Sequence, residues 1–186
     1  MTPLMFGNTP VPWTVSWSAE EGMLLARDPF FGGRLAISQR ELPGQGKPQF
    51  GKPHSNRQRK CIAQCRCDLC GRLLKLSTKV SLSHARPVMH GAEGWAILQV
   101  EPLLHPECAA RCIKFCPSLK RDVDAGTLMI RHVTKWRPQC AIMDEIYTKE
   151  VTGQAVKALG HAKVELMRWT DHDLDWLNAK AERQAA

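Results

Sequence analysis

Two pairs of soft ligands stand out in this chain. Cys67-Asp68-Leu69-Cys70-Gly71 places two thiols two residues apart, and His105-Pro106-Glu107-Cys108 repeats that spacing with an imidazole and a third thiol. A glycine directly after the first pair lets the backbone curl so that both thiolates face one ion. Three sulfurs and one ring nitrogen fill a tetrahedral Zn2+ shell completely. A closed shell leaves no position for water or substrate, so the pattern points to a stabilising ion rather than to hydrolysis. The remaining thiols are less decisive. Cys61 and Cys65 are four positions apart, as are Cys112 and Cys116; these four could hold a second metal or pack as small apolar side chains, and Cys112 or Cys116 could instead replace His105 in the first site.

The elements that must position the ligands can be read around them. The first pair predicts a knuckle. His105 is a candidate N-cap, Pro106 suits the first helical position and Glu107 suits the positive end of the helix dipole, which predicts a helix to about Phe115, ending before Cys116-Pro117. Leu73-Leu74, Val80-Ser81-Leu82 and Ile97-Leu98-Gln99-Val100 are strand candidates between the two ligand pairs. Together these give a treble-clef-like order: knuckle, hairpin, then a helix whose first turn supplies the last ligands.

Upstream, Val11–Trp17 alternates, with Trp13, Val15 and Trp17 on one face, and Arg34–Ser38 reads as a second short strand. Residues 43–60 are rich in Gly and Pro and contain no acidic residue, so they read as a basic loop in which Lys47, Lys52, Arg57, Arg59 and Lys60 would contact phosphates. Ser55 is a candidate cap for a short helix toward Gln64. Downstream, Thr127–Trp136 reads as a strand that Cys140–Tyr147 could pair with. Val156, Leu159, Val164 and Met167 fall at helical spacing, and Thr170-Asp171-His172-Asp173 resembles a cap before Leu174, Trp176 and Leu177. The expected class is α+β: short antiparallel strands around the zinc centre, then a helical tail. The expected organisation is a β segment at 1–42, the basic loop at 43–60, a zinc-binding core at 61–148 and the helical tail at 149–186. No internal repeat or heptad run is present. Core packing is the expected role of Trp13, Trp95 and Trp136.

The 186 residues carry a formal charge of +8. Residues 1–93 hold 13 Lys/Arg against 6 Asp/Glu, and residues 94–186 hold 13 against 12, so the excess lies in the first half. Such asymmetry favours an anionic partner, usually nucleic acid. The N-terminal stretch has no basic region ahead of an apolar run and is broken by Pro3 and Pro10, so it does not read as a secretory signal. No stretch is apolar enough to span a membrane. A reducing cytoplasm is the expected compartment, where clustered Cys and His read as metal ligands rather than disulfides.

The segment from Cys67 to Leu119 resembles a group of small phage and actinobacterial zinc-binding accessory proteins. The resemblance rests on Cys67-x2-Cys70-Gly71, on Glu101-Pro102 leading into His105-x2-Cys108-Ala109, and on Cys116-Pro117-x-Leu119; the stretch near Thr134-Lys135-Trp136 is also similar. It implies that Cys67, Cys70, His105 and Cys108 are zinc ligands and marks Cys116 as a motif position. It also implies a phage or prophage accessory regulator. The chain departs from that pattern at Cys61 and Cys65, in the 43–60 stretch and between His84 and His90.

Three functions are compatible with these features. One is a non-enzymatic binding module acting on nucleic acid. Another is an effector directed at a host or phage protein, with Trp residues and the tail forming a surface or a homodimer. The alternative is an HNH-like metal-dependent nuclease on a treble-clef frame, with His84 or His90 as base and a second divalent ion. The helix after Cys108 spends its residues on thiols rather than on His, Asp or Asn, which counts against the nuclease.

Overall fold

The computed structural model describes residues 3–89 and 94–185. The chain is α+β. Its N-terminal part forms the short strands β1 (Leu4–Phe6), β2 (Thr9–Val11) and β3 (Val15–Trp17), then β4 (Leu24–Asp28) and β5 (Arg34–Ser38). Next come β6 (Pro48–Pro53), helix α1 (Ser55–Ala63), β7 (Val80–Ser83), β8 (Val88–Met89) and β9 (Trp95–Gln99). Helices α2 (Pro106–Phe115) and α3 (Pro117–Asp124) follow, then β10 (Met129–Met143), α4 (Glu145–Thr152), β11 (Ala158–His172) and α5 (Leu174–Ala185).

The main sheet runs β4-β5-β11-β10-β7, with β9 also on β11 and β8 beyond β9. Its spine is the antiparallel pair β10/β11, which runs from Ile130↔His172 to Met143↔Ala158 with register shifts near Lys135 and between Cys140 and Ile142. β7 covers β10 only at Met129–His132. The later part of β10, which holds Pro138, is thus an edge on that side, the kind of strand that tolerates proline. Two small sheets, β1/β2 and β3/β6, complete the strands. Among the described residues no helix is long and apolar enough to cross a membrane.

β11 changes partner along its length. It meets β5 in parallel at Leu159↔Ala36 and β9 antiparallel at Val164–Leu166. The backbone between these contacts needs other partners, and α1 supplies them. The Gln58 amide donates to the Ala162 carbonyl at 2.8 Å and accepts from the Ala162 N–H at 2.9 Å, acting as a piece of strand. Arg59 donates to the carbonyls of Ile37 and Gly160.

The main core lies between this sheet and helices α1, α2 and α5. It includes Ile62, Leu69, Val80, Leu104, Ile113, Val133, Val164, Leu166 and Leu177, together with Cys67, Cys70 and Cys108. α2 packs on α5, so the helix that carries two ligands is backed by the last helix of the chain.

Several expectations fail for identifiable reasons. The 43–60 stretch is not a loop: it holds β6 and α1, with His54 as the N-cap accepting from the Arg57 N–H in place of Ser55. The tail from 149 is not helical throughout: α4 ends at Thr152, β11 occupies residues 158–172, and helix resumes in α5. Ala162, Val164 and Leu166 are all buried, so a period of two overrides the helical spacing of Val156, Leu159 and Met167. Cys140 continues β10 instead of starting a partner strand, and the chain then enters α4. Cys116-Pro117 ends α2 as expected, but Pro117 also opens α3. Trp13 and Trp136 are half-buried, whereas Trp95 is 60% exposed opposite Met89 and is not a core residue.

Candidate metal centre

The knuckle is built by backbone bonds. The Gly71 N–H donates to the Cys67 carbonyl and the Cys67 N–H to the Arg72 carbonyl, each at 2.8 Å, and Arg66 bridges Leu73 antiparallel. Gly71 has a φ of 70°, a left-handed conformation in which a side chain is strained. It also lies under the Trp13 ring, so an added Cβ would sit 3.0 Å from that ring. Trp13 donates its N–H toward the Asp68 and Leu69 carbonyls, and the Thr14 hydroxyl donates to the Asp68 carboxylate. The N-terminal strands thereby clamp the knuckle from outside. The Asp68 N–H donates to the Leu103 carbonyl, joining the knuckle to the stretch that leads into α2.

His105 caps α2 as expected, with Pro106 at the first helical position. Cys67, Cys70, His105 and Cys108 converge: one donor atom from each lies within 4.8 Å of every other, and all four residues are buried. The His105 Nδ1 is 3.5 Å from Cys70 Sγ and 4.0 Å from Cys108 Sγ. A tetrahedral zinc with ordinary bond lengths separates N from S by ~3.6 Å and S from S by ~3.8 Å. The donor set and its spacing therefore fit a metal ion such as zinc.

The surroundings fix the ligands. The His105 Nε2–H donates to the Leu73 carbonyl at 3.2 Å, which leaves Nδ1 free to ligate. The His105 backbone N–H points at Cys67 Sγ, and Arg72 Nε donates to Cys70 Sγ, both at 3.5 Å. Arg72 also reaches Glu107 in the first turn of α2. Hydrogen bonds from Cys108 and Cys67, helped by His105 and Arg72, hold the Cys70 thiol far below its ordinary range. Burial alone would push His105 down, but its bonds to Cys67 and Cys70 raise it to about 10. The same contacts push the Cys108 thiol far up, through its hydrogen bonds to Cys67 and Cys70, so Cys70 and Cys108 share protons that a divalent cation would replace.

Cys61, Cys65 and Cys112 lie outside the centre and behave differently. Burial pushes the Cys61 and Cys112 thiols well up, and Cys65 up as well, as for inert buried thiols. Cys61 donates to the Arg66 carbonyl at 3.1 Å. Cys61 and Cys65 face Trp136 and Val164, whereas Cys112 and Cys116 face Leu69 and Phe115 on another cavity. The proposed second site at Cys61, Cys65, Cys112 and Cys116 is not assembled: among the described residues no second group of three or more such donors converges. His84 pairs with Asp122 at 2.9 Å instead of joining a metal group, and His90 lies outside the described residues.

The expected phosphate-contacting set is also altered. Arg57 is 1% exposed and forks onto Glu20; Arg59 is 1% exposed and pairs with Asp28. Their charges are spent inside the protein, and they are not a surface for nucleic acid. The Lys60 ammonium lies over the Trp13 and Phe30 rings, at 5.9 and 5.8 Å. Lys47 and Lys52 are exposed.

Trp13, Thr14 and Arg72 support the centre, a role the sequence does not assign to them; it marks Trp13 only as a core residue. Arg72 adjoins the knuckle and could have been found there. Nothing local links Trp13 to a glycine so distant in the chain. Gly71→Ala is expected to lower stability by about 1–2 kcal/mol from backbone conformation alone. Displacement of the Trp13 ring adds to that loss. Denaturant titration should show the lost stability, and competition with a chromophoric chelator should show faster metal loss.

Comparison with known proteins gives no match: no family model fits the sequence, and neither a curated protein nor a solved structure matches the chain.

Proposed function

We propose that this chain is a non-enzymatic binding protein stabilised by one Zn2+ at Cys67, Cys70, His105 and Cys108, in a treble-clef-like arrangement of knuckle and helix start. The observation that carries this reading is the buried convergence of a complete Cys3His donor set, with the His105 tautomer set by the Leu73 carbonyl. A full shell has no open position for a reacting molecule, so the ion supplies rigidity. The resemblance of the Cys67–Leu119 segment to phage and actinobacterial proteins supports a phage or prophage accessory role in the cytoplasm.

Two partner classes follow from that role. A protein partner accords with an exposed apolar surface that includes Val88, Met89 and Trp95. A nucleic-acid partner would use Lys47 and Lys52 on the exposed side, because Arg57 and Arg59 are engaged internally. The burial of these two arginines favours the protein partner.

Native mass spectrometry tests the first part: one zinc per chain is expected, retained in Cys61→Ser and Cys112→Ser and lost in Cys70→Ser. Two zincs, or none in freshly purified protein, would contradict it. Heparin chromatography tests the second: weak retention that Lys47→Gln/Lys52→Gln barely changes supports a protein partner. Strong, salt-sensitive retention abolished by those changes would assign nucleic acid.

A further inference from the structure

The metal ligands are embedded in segments that also wall a cavity of about 300 Å³. Asp68 and Leu69, between the two knuckle cysteines, form one wall. Glu101 and Leu104, just ahead of His105, form the next. Phe115 and Leu119, from the end of α2 and from α3, close the far side. The lining is otherwise almost wholly apolar, and neither Lys, Arg nor His occurs in it. A cavity of this size with few polar groups is of the kind that takes a small organic molecule.

Its two charged groups have the same sign. The Asp68 and Glu101 carboxylates line the same cavity. Asp68 accepts a hydrogen bond from Thr14, a neutral partner. Among the described residues neither carboxylate forms an ion pair, although the chain holds 26 Lys and Arg. Asp28 and Glu20, by contrast, are neutralised by arginines inside the fold. An apolar chamber edged by two uncompensated carboxylates, in a protein of net charge +8, is complementary to a ligand with an apolar body and a cationic head.

We propose that this cavity is a binding site for a small organic cation, an amine carrying an aromatic or branched aliphatic group. The apolar body fills the space between Leu69, Leu104, Phe115 and Leu119, and the ammonium sits between Asp68 and Glu101. Binding is non-covalent, and the proposal rests on the metal reading only in that the centre fixes two of the walls.

Calorimetric titration of the metal-loaded full chain with 4-phenylbutylamine tests it, with 4-phenylbutan-1-ol and 4-phenylbutanoate as neutral and anionic controls. One saturable site is expected for the amine. The alcohol should bind roughly tenfold more weakly, as for loss of a charged hydrogen bond, and the carboxylate more weakly still. Glu101→Gln, at an exposed position, should bring amine and alcohol close together, and Leu119→Trp should abolish both by filling the cavity. The proposal is overturned by absent amine binding, by equal affinity for amine and alcohol, or by amine binding that survives Leu119→Trp. Capture of a Lys- or Arg-bearing peptide without any amine binding would overturn it too, assigning the cavity to a protein partner. Zinc is quantified in every sample. Full loading without amine binding defeats the cavity proposal alone, and amine binding by protein that never held metal defeats the metal reading alone.

Discussion

Stripping the metal is expected to unfold the protein instead of loosening one loop. The four ligands join the knuckle at 67–70 to the start of α2, and three of them belong to the main core. α2 in turn supports α5, and the Asp68 N–H and Trp13 N–H both bond to this region. Structural zinc contributes on the order of 10 kcal/mol or more in small domains. Domains of ordinary size are stable by only about 5–15 kcal/mol in total. Loss of the ion therefore removes most or all of the margin. Thermal unfolding followed by circular dichroism, with and without an excess of a strong chelator, should show the cooperative transition lost or moved by tens of degrees. Cys108→Ser should reproduce the chelated state. Cys61→Ser, at a buried thiol with one carbonyl partner, should cost only about 1–3 kcal/mol. Superimposable melting curves for loaded and stripped protein would refute this.

Glu20→Gln is expected to be the most damaging substitution away from the centre. Glu20 is fully buried, and its carboxylate accepts from the Arg57 guanidinium and from the N–H groups of Trp17 and Leu42, each of these two at 2.8 Å. Arg57 also donates to the carbonyls of Trp13 and Val15, so this one pair holds β3 against α1. Neutralising Glu20 leaves a buried guanidinium without a counter-charge, which costs about 3–5 kcal/mol. Glu20→Leu/Arg57→Leu should recover only part of the loss, because the Trp13 and Val15 carbonyls would then lack a donor. Full recovery in urea titrations would mean that the pair contributes charge and no backbone support.

The same cluster makes the fold acid-sensitive. Burial alone would raise Glu20, but the Arg57 bonds and the two N–H donors outweigh it and hold the carboxyl below its ordinary value of 4.5. Burial holds His54 below 6.5, and the ring is neutral by geometry: Nδ1 accepts from the Arg57 N–H and Nε2–H donates to the Arg40 carbonyl. Both folded values lie under the unfolded ones. Their contributions are complete above about pH 6.5 for His54 and above about pH 4.5 for Glu20, and both are lost as pH falls through the folded values. Urea midpoints should therefore decline below pH 6.5 and more steeply below 4.5. His54→Gln should flatten the first part of that decline.

What could be read from sequence follows the range of the interactions. Cys-x2-Cys-Gly and His-Pro-x-Cys are local patterns with local consequences, so the four ligands, the knuckle and the start of α2 were legible. β5, β7 and β9 were legible because short apolar runs bounded by turn residues leave few alternatives. Arg57 and Arg59 were misread because Lys and Arg are almost never fully buried unless paired. Their acids lie 37 and 31 positions earlier, where no local signal reveals them. β11 was misread because its apolar residues satisfy both helical and strand spacings. The choice is made by β10, which offers it twelve paired positions. Cys112 and Cys116 sit one helical turn apart as metal ligands can, yet they line the cavity, because a second ligand pair is not brought to them.

X-ray absorption at the zinc edge of the purified chain tests the central claim most directly. The account predicts a four-coordinate ion with about three sulfur ligands at ~2.3 Å and one nitrogen at ~2.0–2.1 Å, the nitrogen signal disappearing in His105→Ala. A shell dominated by oxygen, a sulfur count that is unchanged in Cys70→Ser, or an edge showing no zinc at all would contradict it.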